Sequence, residues 1–463
     1  MSISRAGRLA SMSPALKPLV GALVLAFGVA GAQAQSLSEV VQAARGYDAT
    51  YLGARSSADA AHYRYEQSRA AHLPSANLQV SGGRNTNTSP TIGLDANGAP
   101  VATSESVKTN SAGVTVNAQQ NIFNRQNDLT IDQAQKLEDI AQSQLAQAEQ
   151  DLIVRVSQAY FTVLAATDAL NAVQGNSKAI GEQLASAKRN FEVGNATITD
   201  TREAEARADL ARSNQIAAEN DLLVAKVTLD QLVGRTGVTP HPLLLPAVLP
   251  PVIPSQASDW VALAESDSQA LKQAQISLQV AELATQRARA GHLPTVVANA
   301  TYGRSRAHES IDSDVSFTGN SRNAGVSVTL NVPIFSGFLI TNQVNEAAAL
   351  ERKARTDTDG VHNQVILGTR TAFVTALTQA AQVKALEAAE ASSKLALDAT
   401  VLGYKVGVKV NLDVLNAQSQ LYSTQKDAAG ARYNYLVSQL KLRQAAGNLT
   451  GNDLLPIDAL LVK

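Results

Sequence analysis

Six histidines, at His62, His72, His241, His292, His308 and His362, are the residues of this chain best suited to proton transfer or metal binding. No two of them stand four apart as in a helical zinc pair, and the sequence contains no HExxH, GxxxxGK[ST] or GxGxxG motif. There is no cysteine, which removes thiolate nucleophiles, thiolate metal sites and disulfides together. Asp312 and Asp314 have the spacing of half a calcium loop but lack its glycine and its remaining ligands, so they read as acids of a solvated loop. His72 and His292 both precede Leu-Pro, where an imidazole beside the last carbonyls of a helix serves structure. The chain therefore reads as a non-enzyme without cofactor or metal. With 39 basic against 40 acidic residues and a net charge of −1, it also lacks the basic excess that nucleic acid requires.

The elements around these residues say more. The 463 residues are 45% hydrophobic but only 4% aromatic, which suits thin, Ala-rich helical layers better than a globular core filled by large rings. Residues 1–34 read as a signal peptide: Arg5, Arg8 and Lys17 precede an apolar stretch from Leu19 to Ala30 and a small-residue site at Ala32-Gln33-Ala34. Cleavage there leaves a mature chain from Gln35, exported and without the N-terminal Cys of a lipid anchor. No later apolar stretch is long enough for a spanning helix, so a membrane location would rest on β-strands.

The mature chain is a duplication. RAAHLPS at Arg69 recurs as RAGHLPT at Arg289, AGVTVNAQQNIF at Ala112 as AGVSVTLNVPIF at Ala324, and NFEVGNATITD at Asn190 aligns with GYKVGVKVNLD at Gly403, at offsets of 220, 212 and 213 residues. Six of the 14 prolines crowd between Pro240 and Pro254, a linker between the copies, whereas none occurs from Val101 to Thr239 or from Ile334 to Leu455.

Each copy changes period twice. Val114, Val116 and Ala118 alternate with polar residues, as do Val326, Val328, Leu330 and Val332; with upstream partners at Ala76 to Ser81 and Thr295 to Tyr302, each copy gives a hairpin with one apolar face. Polar loops are expected from Arg84 to Asn110 and from Arg304 to Asn323. Pro-free stretches then run from Asn124 to Phe191 and from Ser336 to Gly403, helices of about 100 Å at about 1.5 Å per residue. Gly194 and Gly407 supply the turns, and return helices follow over Ile198 to Val233 and Asn411 to Ala446.

PIFSG at Pro333, NFEVGNATITD at Asn190, YKVGVKVNLDVLNAQ from Tyr404 to Gln418 and ARYNYLVSQLKLRQAAGNL from Ala431 to Leu449 resemble the TolC family of outer-membrane channel-tunnel proteins, along nearly all of the mature chain. The resemblance implies a mixed α and β fold: a homotrimer whose subunits each give four strands to a twelve-stranded transmembrane β-barrel, continuous with a long antiparallel α-helical coiled-coil barrel in the periplasm. It further implies a passive exit duct for type I protein secretion or multidrug efflux, with a periplasmic adaptor (membrane fusion protein), an inner-membrane ABC or RND-type transporter, outer-membrane lipid, and exported proteins or small molecules as partners. The periplasmic gate would comprise Thr199, Asp200, Tyr404, Lys409, Asp413 and Asn416, and the adaptor-docking tips Val193, Gly194, Asn195, Ala196, Thr197, Val406, Gly407 and Val408. Two positions depart from the family pattern: Lys409 replaces an Arg and so loses bidentate geometry, and Asn416 replaces a second constricting acid.

The expected organisation is a signal peptide (1–34) and a first repeat (35–234) with a β-hairpin over about 75–123 and a tip at 191–198. A Pro-rich equatorial segment (235–258), a second repeat (259–447) with a hairpin over about 295–335 and a tip at 404–411, and a C-terminal tail (448–463) complete it. A trimeric exported coiled-coil adhesin or structural stalk is the competing reading. It predicts strands at one terminus only, against two internal hairpins each flanked by helices.

Overall fold

The structure is a computed structural model. It describes residues 34–462 apart from 195, 247 and 312–314. The expected signal peptide therefore lies, but for its last residue, outside the described residues, as do Asp312 and Asp314. Helices α1 (Leu37–Arg45) and α2 (Ala49–Arg69) lead to strands β1 (Ser75–Leu94) and β2 (Pro100–Phe123), the long α3 (Arg125–Glu192) and its return α4 (Ile198–Val233). The second copy repeats this with α5 (Ala257–Asp267), α6 (Gln269–Ala290), β3 (Thr295–Ile311), β4 (Val315–Asn331), α7 (Leu339–Lys405) and α8 (Asn411–Ala445), followed by a short α9 (Leu455–Asp458).

The 68 residues of α3 begin at an Asn124 side chain that accepts from the Gln126 and Asn127 amides, and no proline interrupts them. The helix α2 runs antiparallel along its first half, held by His62 to Glu138 at 2.8 Å and by Asp48 to Arg155. Along the second half α4 takes over, and α6 and α8 of the other copy complete the bundle. No helix among the described residues is long and apolar enough to cross a membrane.

The main core lies midway along α3. Leu152, Ile153, Val156, Tyr160, Phe161 and Leu164 pack there against α1, the end of α4 and the C-terminal part of α8. Residues 448–462 are built into it through Leu449, Leu454, Ile457 and Leu461, so the C-terminal segment is part of this core. The Pro-rich segment, expected as an extended linker, is held at several points by hydrogen bonds to its backbone. The His241 amide donates to Tyr160 Oη at 2.8 Å, Tyr435 Oη and Gln439 Nε2 donate to the Pro250 carbonyl at 2.6 and 2.7 Å, and Trp260 Nε1 donates to the Pro254 carbonyl at 2.8 Å. Prolines leave few amides to satisfy, and side chains from the helices bind the carbonyls that remain.

The four strands form one antiparallel sheet in the order β1-β2-β3-β4. The expected loops at 84–110 and 304–323 are instead strand: pairing continues to Leu94↔Pro100 and to Ile311↔Val315. From Arg84 to Ser89 and from Asn320 to Asn323 these extensions are polar on both faces, so no hydropathy alternation links them to the apolar band, and apolar side chains return only near the turns, at Ile92, Leu94, Val315 and Phe317; the backbone ladder needs no such pattern. The second hairpin ends at Asn331, before Pro333, which has no amide to donate.

Candidate gate at the helical tips and channel surface

The sheet curls. On β2 and β3 the polar-face residues Gly113, Thr115, Thr301 and Gly303 are less exposed than Val114, Val116, Ala300 and Tyr302 on the other face, so the polar face is concave and the apolar face convex. Curvature crowds the concave side. A Cβ on Gly303 would stand 3.1 Å from Thr115 Oγ1, tight enough that the threonine would have to shift, while one on Gly113 would meet Ser305 and Ser81 at 3.4 Å, an ordinary contact. The convex band of Leu78, Val80, Val114, Val116, Val326, Val328 and Leu330 is exposed in the single chain, and β1 and β4 remain as open edges. Lipid tolerates no open strand edge, so in a membrane β1 and β4 would each need a further strand to pair with.

At the other end two helical hairpins lie side by side. In the first tip Val193 caps α3 and Gly194 takes φ 81°, a left-handed conformation that glycine adopts without strain. Thr197 then opens α4 with a full capping box: the Asp200 amide donates to Thr197 Oγ1 at 3.1 Å, and the Thr197 amide and hydroxyl donate to Asp200 Oδ2 at 3.0 and 2.8 Å. Ala196 is half-buried and Thr199 exposed, while Asn195 lies outside the described residues. In the second tip Val406 caps α7, Gly407 has φ 80°, and Val408 is exposed. Its box is half made. The Val410 amide donates to Asp413 Oδ2 at 3.3 Å, but the valine side chain has no oxygen to return the bond.

The expected gate residues gather at this end, each with a partner inside the chain or a free surface. Lys409 Nζ lies 3.6 Å from Asp413 Oδ2 one turn on, Asn190 Nδ2 donates to Tyr404 Oη at 3.4 Å, and Arg207 Nη2 donates to Asn416 Oδ1 at 3.2 Å. Gln183 and Asn411 also bond across the hairpins. Beneath them Leu415 of α8 packs with Ile180, Ala187, Ala204 and Ala211, and the three alanines let the three helices approach. The capping role of Asp200 and Asp413 was missed in the sequence reading, although T-x-x-D at Thr197 signals it.

Ionisable groups cluster again at the mid-helix core. Buried Asp48 accepts from Arg155 Nη1 and Nη2 at 3.0 and 2.9 Å, and this guanidinium holds its carboxyl below the usual carboxylate range. Burial pushes Asp151 the other way. Tyr433 donates to Asp168 Oδ2 at 2.6 Å, and burial together with that acceptor keeps its phenol protonated. No group of three or more His, Asp or Glu among the described residues could hold a metal ion.

Residues 40–235 and 260–448 match the family described as Outer membrane efflux protein, one match per copy of the duplication. The chain is 31% identical over 427 residues to Outer membrane protein TolC of Vibrio cholerae, covering 92% of this chain and 94% of that one. It is 30% identical over 313 residues to the Alkaline protease secretion protein AprF of Pseudomonas aeruginosa, covering 66% and 63%. The fold superimposes on the CmeC outer membrane channel of Campylobacter jejuni with a TM-score of 0.73 over 98% of each chain, at 16% identity.

Proposed function

Because the chain belongs to the outer membrane efflux protein family, we propose that its paired helical tips form the periplasmic gate and adaptor-docking surface of an exit duct. The chain is an outer-membrane channel extending into the periplasm, and channels of this family work in tripartite systems with an adaptor and an inner-membrane transporter. The adhesin or stalk reading is not favoured, since both hairpins join one sheet with a lipid-suited convex face. In this reading the channel is a passive homotrimeric conduit. An adaptor helical hairpin meets Val193 to Thr197 and Val406 to Val410, and an ABC or RND-type transporter drives proteins or small molecules through it.

The observation that carries the gate is the placement of Asp200 and Asp413, 213 residues apart in sequence, each at the same position of its return helix and one turn from its tip. Only Oδ2 of Asp200 is engaged by Thr197, which leaves Oδ1 for Lys409 of a neighbouring subunit, with Thr199 facing Tyr404. Lys409 and Asp413 are substantially exposed, so each such pair contributes about 0 to 1 kcal/mol. Three symmetry copies bias closure while leaving adaptor binding able to reverse it. Asp413 lines the entrance with three carboxylates per trimer, making it cation-selective. In planar bilayers Lys409→Ala with Tyr404→Phe raises conductance and Asp413→Ala relieves block by multivalent cations; conductance and block unchanged from the parent would overturn the gate. Deleting the gene and comparing secreted proteins with drug susceptibility assigns the cargo.

A further inference from the structure

The sheet sorts its charges by face. All five strand cations, Arg84, Lys108, Arg304, Arg306 and Arg322, carry the register of the convex face, whereas both strand acids, Glu105 and Glu309, fall on the concave one. The pairing arranges the cations in rows. Val80, Val114, Arg304 and Arg322 stand side by side across the four strands; the next row outward holds Arg306, and the one after it holds Arg84 with His308. All five cations are exposed and none has a carboxylate partner among the described residues.

This row lies at the boundary of the apolar band. Going from the helices outward along β3, the convex face reads Val296, Ala298, Ala300, Tyr302 and then Arg304, Arg306 and His308. The apolar part spans about seven residues, or about 23 Å along the strand at about 3.3 Å per residue; at a tilt of about 40° this is about 18 Å of the roughly 25 Å apolar height of an outer-membrane barrel, and exposed Ile334 and Phe335 continue the band at the helical end. Tyr302 sits where an interfacial aromatic belongs, and Phe335 and Phe338 stand exposed at the helical end. The helices enter the periplasm, so the cationic rows lie at the headgroup level of the opposite, outer leaflet. Solvation alone would be served by Ser, Thr and Asn, which stand beside these cations at Thr86, Asn110, Thr318 and Asn320. Guanidinium groups stacked in successive rows without acids suit phosphate, to which each can donate two parallel hydrogen bonds.

We propose that this collar binds the phosphate-bearing headgroups of outer-leaflet glycolipids, seating the barrel at a fixed depth through five cations per subunit. The proposal rests on the outer-membrane placement and is independent of the gate. Four rows of backbone pairing hold the cations on one convex surface, so the site needs no rearrangement to form.

The test uses the full-length mature channel in detergent, titrated with mixed micelles containing lipid A, a phosphorylated glycolipid, and separately with phosphatidylcholine micelles and inorganic phosphate. Binding to lipid A should be saturable and should fall about a hundredfold in Arg304→Gln/Arg306→Gln/Arg322→Gln, while Arg352→Gln/Arg370→Gln on α7 should match the parent. In case the triple variant fails to assemble, phenylglyoxal labelling of the parent decides: lipid A should protect Arg304, Arg306 and Arg322. Equal binding of phosphatidylcholine, displacement by inorganic phosphate at millimolar concentration, a triple variant as tight as the parent, or unprotected arginines would each overturn the collar. Single-channel conductance of the parent, recorded in parallel, reports separately on the channel reading.

Discussion

The ring of Tyr422 on α8 rests on the backbone of α3 at Gly175, so close that a methyl group at Gly175 would come within 2.7 Å of Cε1. The contact joins the hairpin of one copy to that of the other, about midway between the core and the tips. Replacing Gly175 by Leu should therefore push α8 from α3 at a cost of roughly 1 to 3 kcal/mol. We expect a lower thermal midpoint and a larger single-channel conductance, both reversed when Tyr422→Ala is added. A double variant no better than Gly175→Leu alone would show that the ring is not what separates the helices.

The two tips differ by one hydroxyl. Thr197 completes its capping box and Val410 cannot, so Val410→Thr should stabilise the second tip by about 1 kcal/mol and Thr197→Ala should destabilise the first by a similar amount. Hydrogen exchange of the amides at 411–414 and 198–201 reports each tip separately, and slower exchange at 411–414 in Val410→Thr is the expected result.

Acid should loosen the mid-helix core through Asp48. Its pKa is depressed by Arg155, so its contribution is present above the ordinary carboxylate value of about 4 and is lost as pH falls through the lowered value. Asp48→Asn should cost about 2 kcal/mol at pH 7 and flatten the acid limb of a melting-midpoint profile. Asp151, raised by burial, has the opposite sign: Asp151→Asn should raise the midpoint at pH 7, with the gain disappearing at low pH where the parent carboxyl is already protonated.

The convex face of the sheet gives a fourth test. Val328 pairs with Ala298 in the apolar band, and Val328→Arg should cost about 2 to 4 kcal/mol near the membrane midplane. A Val328→Cys variant of this cysteine-free chain should resist water-soluble maleimide in membranes, whereas Ser327→Cys, on the concave face, should react. Reaction at 328 and protection at 327 would reverse the register.

The long helices and the hairpins were legible because periodicity and proline exclusion act locally: the Pro-free stretch after Asn124 corresponds to α3 almost residue for residue. The apolar band was legible at Val114 and Val326, where one face of the strand meets lipid. The outer strand ends were not, since Thr86 to Ser89 and Asn320 to Asn323 are polar on both faces and only backbone pairing makes them strand. The cap made by Asp200 is signalled by T-x-x-D at Thr197, whereas no hydroxyl precedes Asp413, where Val410 stands instead, so the matching cap of the second tip was not legible. The clamping of Pro250 and Pro254 by Tyr435, Gln439 and Trp260 depends on contacts between residues far apart or on different elements, which no sequence period records.

That clamped segment makes a lever of the longest helix. The core grips α3 between Leu152 and Leu164, leaving an arm of about 42 Å to the tip and one of about 40 Å to the sheet, at about 1.5 Å per residue. About this fulcrum, a tilt of ~5° in the lower arm moves the tip by ~4 Å. On the gate proposed for the tips, widening of the aperture would come from a bend of α3 at the gripped core, since a rigid rod pivoting there would carry its sheet end about as far as its tip.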